Sequence, residues 1–599
     1  MTNQDDIFGG SDECRTGGDL EFLRSATFDS PLPLELGGEL SAVTVAYETY
    51  GELNAAKDNA VLICHALTGD SHVAQHTDGD EPGWWDCFVG PGKAVDTDRY
   101  FVICPNCLGG CRGTTGPGSL NPGTGESYGA TFPEITFGDM VAVQKRLISH
   151  LGIARLRAVI GGSMGGQQAQ IWGTDHTDST AGVVLVATSP RLSSQSLAFD
   201  IVGRNAIQTD PNFTQDGDTK PATGLAIARM LGHITYLSSE AMNRKFEATR
   251  NLPRTVDTEF DTLFSVGSYL AYKGQKFTDR FDANSYCAIT LAMDRFDMGS
   301  TVDQLAEQYR PSKTRWLVMS FSSDWLFPPS QSQMIVDALI RSEIPVSYCN
   351  VESDCGHDAF LLENNVAQYG GMTAGFLENL GPAITSDQRD ESHDHTSIFH
   401  PARRLDYDQI INRIGDAKSV LDLGCGRGGL LSRLAKNPDL RLCGIERDEA
   451  NVLECVRRGV DVTQCDLNKP LTSFSDDEFD CVVLSRTLQV IFDVKGLLEE
   501  MLRVGRRGIV SVPNFGYHKL QESFRETGRI PEGALLHHKW YDTPNIRVLT
   551  LKDFEAFCAE QAISIHTRVL LDSEQGGEVA RDELADMAIY VLSREGNAS

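Results

Sequence analysis

The residues best suited to covalent chemistry stand in Gly161-Gly162-Ser163-Met164-Gly165, a G-x-S-x-G elbow between an apolar run and a helix-capable one. A serine hydroxyl is a weak nucleophile. It needs a base, and the base needs a carboxylate to orient it. Downstream, Asp324 follows the apolar run Arg315-Trp-Leu-Val-Met319, and His357 sits in the Gly-His turn of Ser353-Asp-Cys-Gly-His-Asp358. The chain order Ser, Asp, His is the one elbow folds use. Ser163, Asp324 and His357 are therefore the expected catalytic set. Two backbone N–H groups are expected to form an oxyanion hole: that of Met164, next after the nucleophile, and that of Leu67, on the loop after an early strand. This machinery transfers acyl groups. Whether the acceptor is water or another hydroxyl is decided by what else enters the site.

Such a set works only if strand ends present it. Val61-Leu-Ile-Cys64, Tyr100-Phe-Val-Ile103, Leu156-Arg-Ala-Val-Ile160, Gly182-Val-Val-Leu-Val-Ala187 and Arg315–Met319 read as buried parallel strands alternating with helical patterns, a doubly wound α/β sheet. The stretch from about 190 to 305 breaks the rhythm and reads as a helical lid inserted over the sheet. Residues 1–20 are acidic and glycine-rich and read as a flexible leader, and 21–380 as the first domain. The polar stretch 381–404 reads as a linker, and a fresh α/β pattern fills 405–599.

The second domain carries a different signal. Val420-Leu-Asp-Leu-Gly-Cys-Gly-Arg-Gly-Gly-Leu430 is a strand, a glycine-rich turn and a helix start. Such a turn lets backbone approach a ligand closely. Glu446 ends the next strand, where a carboxylate can meet ribose hydroxyls, and Asp466 ends the following one, near an adenine edge. Asp422, Gly424, Gly426, Gly428, Glu446 and Asp466 are the expected nucleotide-binding residues.

Composition narrows the classes. The 599 residues carry a formal charge of -30, which argues against a nucleic-acid partner. No run approaches the roughly 20 apolar residues of a membrane span. Without a basic-then-apolar signal sequence, and with fifteen scattered cysteines, a reduced, cytoplasmic setting is expected. Cys104, Cys107 and Cys111 lack a fourth ligand, and His65, His72 and His76 read as loop residues, so no metal is expected.

Several runs resemble the homoserine O-acyltransferase (MetX) family of α/β-hydrolase-fold enzymes: His65-Ala-Leu-Thr-Gly-Asp-Ser-His-Val73, Gly90-Pro-Gly-Lys-Ala-Val-Asp-Thr-Asp-Arg-Tyr-Phe-Val-Ile103, Gly161–Gly166 and Lys276-Phe-Thr-Asp-Arg-Phe-Asp-Ala-Asn-Ser-Tyr286. The likeness spans about residues 20–380. It implies transfer of an acyl group from coenzyme A through Ser163 to the γ-hydroxyl of L-homoserine. It places Arg229 and Tyr236 in the substrate pocket, with Asp358 for the ammonium. Acetyl-CoA is the implied donor and succinyl-CoA the alternative; a hydrolase of the same fold is the other reading. A homodimer through the helical insertion is also implied. The glycine turn with Glu446 and Asp466 resembles a class I S-adenosylmethionine-dependent methyltransferase-like fold, with Arg427 a departure where an acidic residue is usual. Ser485-Arg-Thr-Leu-Gln489, Glu500-Met-Leu-Arg-Val-Gly-Arg-Arg-Gly-Ile-Val-Ser-Val-Pro-Asn-Phe515 and Trp540-Tyr-Asp-Thr-Pro-Asn-Ile546 resemble the MetW family over about residues 405–575. A methyltransferase, an S-adenosylmethionine sensor and a structural partner all fit that resemblance.

Overall fold

The structure is a computed structural model that describes residues 20–213, 221–380, 405–531, 539–541, 543 and 545–594. The leader up to residue 19 and the linker 381–404 lie outside the described residues. The chain divides into two compact units, Met1–Gly381 and Pro382–Ser599.

In the first unit the sheet strands are β1 (Arg24–Phe28), β2 (Val43–Tyr50), β3 (Ala60–Cys64), β4 (Phe101–Pro105), β5 (Ala158–Gly162), β6 (Gly182–Val186), β7 (Arg315–Phe321) and β8 (Val346–Val351). They lie in the order β1-β2-β4-β3-β5-β6-β7-β8. β1 and β2 run antiparallel to their neighbours; the rest are parallel. Every residue of β3, β4, β5 and β6 is buried. That follows from the unbroken apolar character of these runs, because helices cover a parallel sheet on both faces. One expected strand shifts: Leu156 stays outside β5, its N–H donating to Ser179 O in an isolated bridge.

The lid lies between β6 and β7. Helices Ser194–Gln208, Ala222–Tyr236, Ser239–Phe246, Ser265–Arg280 and Ala283–Arg295 form it. Ile207, Leu225, Ala228, Phe277, Ala283 and Tyr286 make its own apolar core, and Leu67 of the main sheet's loop packs against that core.

In the second unit the strands are β9 (Ser419–Leu423), β10 (Arg441–Glu446), β11 (Val462–Gln464), β12 (Cys481–Ser485), β13 (Gly508–Pro513), β14 (Ile563–Asp572) and β15 (Met587–Arg594). Their order is β11-β10-β9-β12-β13-β15-β14. β9 to β13 are parallel, and β15 runs antiparallel to both its neighbours. Chain direction across the sheet reverses between β9 and β12, the place where open α/β sheets leave a crevice. Phe479 lies ahead of β12 and pairs with Gly505 in an isolated bridge.

Candidate functional sites

Ser163 follows β5 directly and precedes the helix Met164–Asp175. Its φ is 55°, a left-handed conformation strained for a residue with a side chain. Its N–H donates to Val186 O at 2.9 Å, and its carbonyl accepts from Thr188 Oγ1 at 2.7 Å. The flanking glycines have a steric reason. A Cβ on Gly161 would lie 2.1 Å from Gly165 O, and one on Gly165 would lie 2.0 Å from Cys64 O.

His357 Nε2 lies 2.9 Å from Ser163 Oγ, and His357 Nδ1 lies 2.8 Å from Asp324 Oδ2. All three side chains are buried. Asp324 is fixed by the loop after β7: its Oδ1 accepts from the N–H groups of Leu326 and Phe327. Burial alone would lower the pKa of the imidazole. The charge of Asp324 and its hydrogen bond outweigh burial and hold His357 above 6.5. Gly356, at φ 80°, lets this turn press against the lid, where a Cβ would meet Ser238 N at 2.4 Å.

Leu67, Thr68 and Gly69 line the same cavity as Ser163 and His357. Met164 opens its helix, so no carbonyl of that helix can engage its N–H. Arg229, Tyr236 and Asp358 line this cavity too. Arg229 is buried, donates to Thr68 Oγ1 at 3.1 Å and stacks over Phe277 at 4.8 Å. Burial raises the carboxyl pKa of Asp358, and the nearby His357, Arg229, Lys273 and Lys245 offset only part of that rise.

Behind the Leu67 loop, Glu48 on β2 is fully buried. It accepts from His72 Nδ1 at 2.9 Å, His76 Nε2 at 2.8 Å, Tyr50 Oη at 3.0 Å and Ser71 Oγ at 2.9 Å. Burial opposes its ionisation, but the two histidine hydrogen bonds prevail and lower its pKa to about 2. The three ligand-type groups could converge on a cation, yet each nitrogen is already at hydrogen-bond distance from the carboxylate. Cys104, Cys107 and Cys111 face three different oxygens, those of Asp70, Gln168 and Arg280.

In the second unit Gly424, Gly426 and Gly428 all have positive φ, at 72°, 55° and 73°. A Cβ on Gly424 would meet Thr487 Oγ1 at 2.7 Å. Glu446 Oε2 accepts from Gly426 N at 2.9 Å, tying the end of β10 to the turn after β9. Asp422 is buried within β9. Asp466, just past β11, accepts from Asn468 N at 3.0 Å, and that bond leads the causes that hold its pKa below the usual carboxylate value. The sequence-derived residues therefore gather at three adjacent strand ends.

Over 98% of its length, and over 95% of the relative, the chain is 46% identical to a protein of Rhodopirellula baltica described as bifunctional methionine biosynthesis protein MetXA/MetW. The chain belongs to the bifunctional MetXA/MetW family. Within this MetXA/MetW chain, residues 59–364 match the alpha/beta hydrolase fold family and residues 404–592 match the family described as methionine biosynthesis protein MetW. A homoserine O-acetyltransferase of Desulfotalea psychrophila is 50% identical over 61% of the chain and 95% of its own length. Two solved structures resemble the first unit with TM-scores of 0.54. The homoserine O-acetyltransferase of Bacillus anthracis is 29% identical, over 60% of this chain and 98% of its own. Esterase E22 is 28% identical, over 59% and 100%.

Sequence reading passed over several lining residues of the MetXA half: Trp84, His233, Lys245, Tyr269, Lys273 and Arg280. Trp84 lies between β3 and β4, and the other five stand on lid helices, where a lysine reads as an ordinary solvated face. Glu48 was passed over as well. Its one cue was an acidic residue inside the apolar strand β2.

Proposed function

We propose that this MetXA/MetW chain is a homoserine O-acetyltransferase of methionine biosynthesis that works through an acyl-serine intermediate. The observation that carries this is the unbroken chain from Ser163 Oγ through His357 to Asp324, at 2.9 and 2.8 Å, in a cavity that also holds Arg229 and Asp358. The homology to homoserine O-acetyltransferases at 50% identity supports the acceptor.

In this reading His357 takes the Ser163 proton as the hydroxyl attacks the acetyl carbonyl of acetyl-CoA. The oxyanion meets the N–H groups of Leu67 and Met164. His357 then gives the proton to the departing thiolate. In the second half-reaction it deprotonates the γ-hydroxyl of homoserine, which attacks the acyl-serine and releases O-acetyl-L-homoserine. Arg229 takes the homoserine carboxylate, Tyr236 completes that wall, and Asp358 takes the ammonium. Asp324 keeps the imidazole in the useful tautomer and stabilises its charged form. The likeness to esterase E22 gives the second reading, a hydrolase in which water is the acceptor. Thiol release from acetyl-CoA and succinyl-CoA, with and without homoserine, tests both. Homoserine-dependent release from acetyl-CoA is expected. Homoserine-independent release would put the hydrolase first, and a preference for succinyl-CoA would change the donor.

For the second unit we infer a class I methyltransferase-like domain that binds S-adenosylmethionine. Strand order β11-β10-β9-β12-β13-β15-β14 and the glycine turn support it. The group would supply a transferable methyl. Gly424, Gly426 and Gly428 would admit it to the backbone, Asp422 would flank it, Glu446 would face its ribose and Asp466 its adenine. Sensing of this downstream metabolite by a pathway enzyme is our preferred role. Ligand-dependent change in acyl transfer or in the thermal stability of the first unit tests it. Neither changing at saturation would end the sensor role. A cytoplasmic homodimer belongs to the same reading. Exposed Ile201, Val202, Ile227 and Ile234 on the lid support the dimer, which sedimentation tests.

A further inference from the structure

One residue on the wall of the Ser163 cavity has a buried polar atom that nothing in the chain satisfies. On the lid helix Ala222–Tyr236, Arg229, His233 and Tyr236 fall at i, i+4 and i+7 and so share one face. All three line the cavity that holds Ser163 and His357. Arg229 and Tyr236 have roles in the acceptor reading given above, and His233 has none.

His233 is 5% exposed. Its ring stands edge-on to the rings of Tyr236 and Tyr269, with centroids 6.0 and 5.6 Å away. Nδ1 lies 3.4 Å from Tyr269 Oη. Nε2 is buried and has no hydrogen-bond partner. Folded proteins pair almost all such atoms, because leaving one unpaired is costly. Burial drives the pKa of His233 well below 6.5, and Arg229, Lys273 and Lys245 push it down further, so the ring is neutral at pH 7. A neutral ring that accepts at Nδ1 from Tyr269 carries its proton on Nε2, which is then a donor. One helical turn away on the same face stands Arg229, the group that takes the homoserine carboxylate. A carboxylate oxygen held there is an acceptor for that donor.

We propose that His233 Nε2–H donates a hydrogen bond to the carboxylate of the acceptor amino acid, beside Arg229, and is a specificity-determining residue of the second half-reaction. The inference rests on the homoserine reading of this site. An uncharged donor adds direction to the carboxylate contact without placing another cation against Arg229. It favours an α-amino acid over an amino alcohol with the same hydroxyl and ammonium.

The test uses the full-length chain with His233→Leu, His233→Asn and His233→Gln. Leucine fills the space with no polar atom. Asparagine keeps a polar group near Nδ1, for Tyr269, and lacks the outer nitrogen. Glutamine carries a neutral N–H about as far out as Nε2. The acceptors are L-homoserine and 3-amino-1-propanol, which is homoserine without its carboxylate. In a double-displacement reaction kcat/KM for the donor reports only the first half-reaction, and kcat/KM for the acceptor only the second. His233→Leu and His233→Asn are each expected to lower kcat/KM for L-homoserine about tenfold, the scale of one hydrogen bond to a charged group. His233→Gln should restore most of it. Both kcat/KM for acetyl-CoA and kcat/KM for 3-amino-1-propanol should hold in every variant. A merely structural role would lower all of these constants together. That result, or unchanged kcat/KM for L-homoserine in His233→Asn, overturns the proposal. His233→Asn keeps a partner for Tyr269, so it decides the matter if His233→Leu does not fold. Failure of the acyl-transfer reading would look different, because the unaltered chain would then show no homoserine-dependent thiol release.

Discussion

Two strand ends in this chain, after β5 and after β9, are built on opposite principles. At the end of β5 a side chain is forced into φ 55° so that a hydroxyl stands clear of the sheet, where it meets a base already held by a carboxylate. At the end of β9 glycines occupy the positive-φ positions, and the nearby carboxylate of Glu446 is bonded to the turn's own backbone. The first site stores strain at a reactive atom. In the proposed reading, the second leaves out side chains so that a ligand can lie against the main chain. A reactive centre needs a proton relay; a binding cradle needs space and backbone donors.

That contrast can be broken at either end. Ser163→Ala should have the largest effect, a loss of about 10⁶-fold in homoserine-dependent acyl transfer, with S-adenosylmethionine binding by the second unit unchanged in calorimetry. Asp324→Asn should cost about 10⁴-fold, since the imidazole loses its orientation. The same variant should move the pH profile. His357 must be neutral to act as base and its pKa is held above 6.5, so kcat/KM for acetyl-CoA should fall as pH drops through a limb above 6.5. Without the Asp324 carboxylate, only the charge of Asp358 still opposes burial, and the limb should move to lower pH. Gly424→Ala should weaken S-adenosylmethionine binding about tenfold, because αL geometry costs a residue with a Cβ about 1–2 kcal/mol, while acyl transfer without ligand stays normal.

A separate prediction concerns stability and the scaffolding behind the first site. The pKa of Glu48 is lowered from 4.5 to about 2, so its ionised form stabilises the fold above pH 4.5, and that contribution is lost as pH falls toward 2. The shift corresponds to about 3 kcal/mol. Glu48→Gln should lower the Tm at pH 7 and flatten its acid dependence, whereas an unchanged acid limb would remove Glu48 from the account.

What could be read from sequence follows from where the constraint lies. The elbow was legible because the approach of Gly161 to Gly165 and of Gly165 to Cys64 excludes any other residue type. Asp324 and His357 were legible by chain order, and the glycine turn by composition. One strand end moved because the apolar Leu156 makes only an isolated bridge outside β5. Lys245, Lys273 and His233 were illegible because their meaning is tertiary: lid helices beginning at Ala222, far past the elbow in sequence, bring them over it. Glu48 was illegible because it stands on β2 while its partners, His72 and His76, lie on the loop after β3.

The central claim, that Ser163 carries the acyl group between donor and homoserine, is tested most directly by intact-protein mass spectrometry after mixing with acetyl-CoA alone. We predict one added acetyl group, mapped to the peptide containing Ser163 and discharged on adding homoserine with formation of O-acetyl-L-homoserine. No adduct on that peptide, or discharge to water as fast without homoserine as with it, would contradict the account.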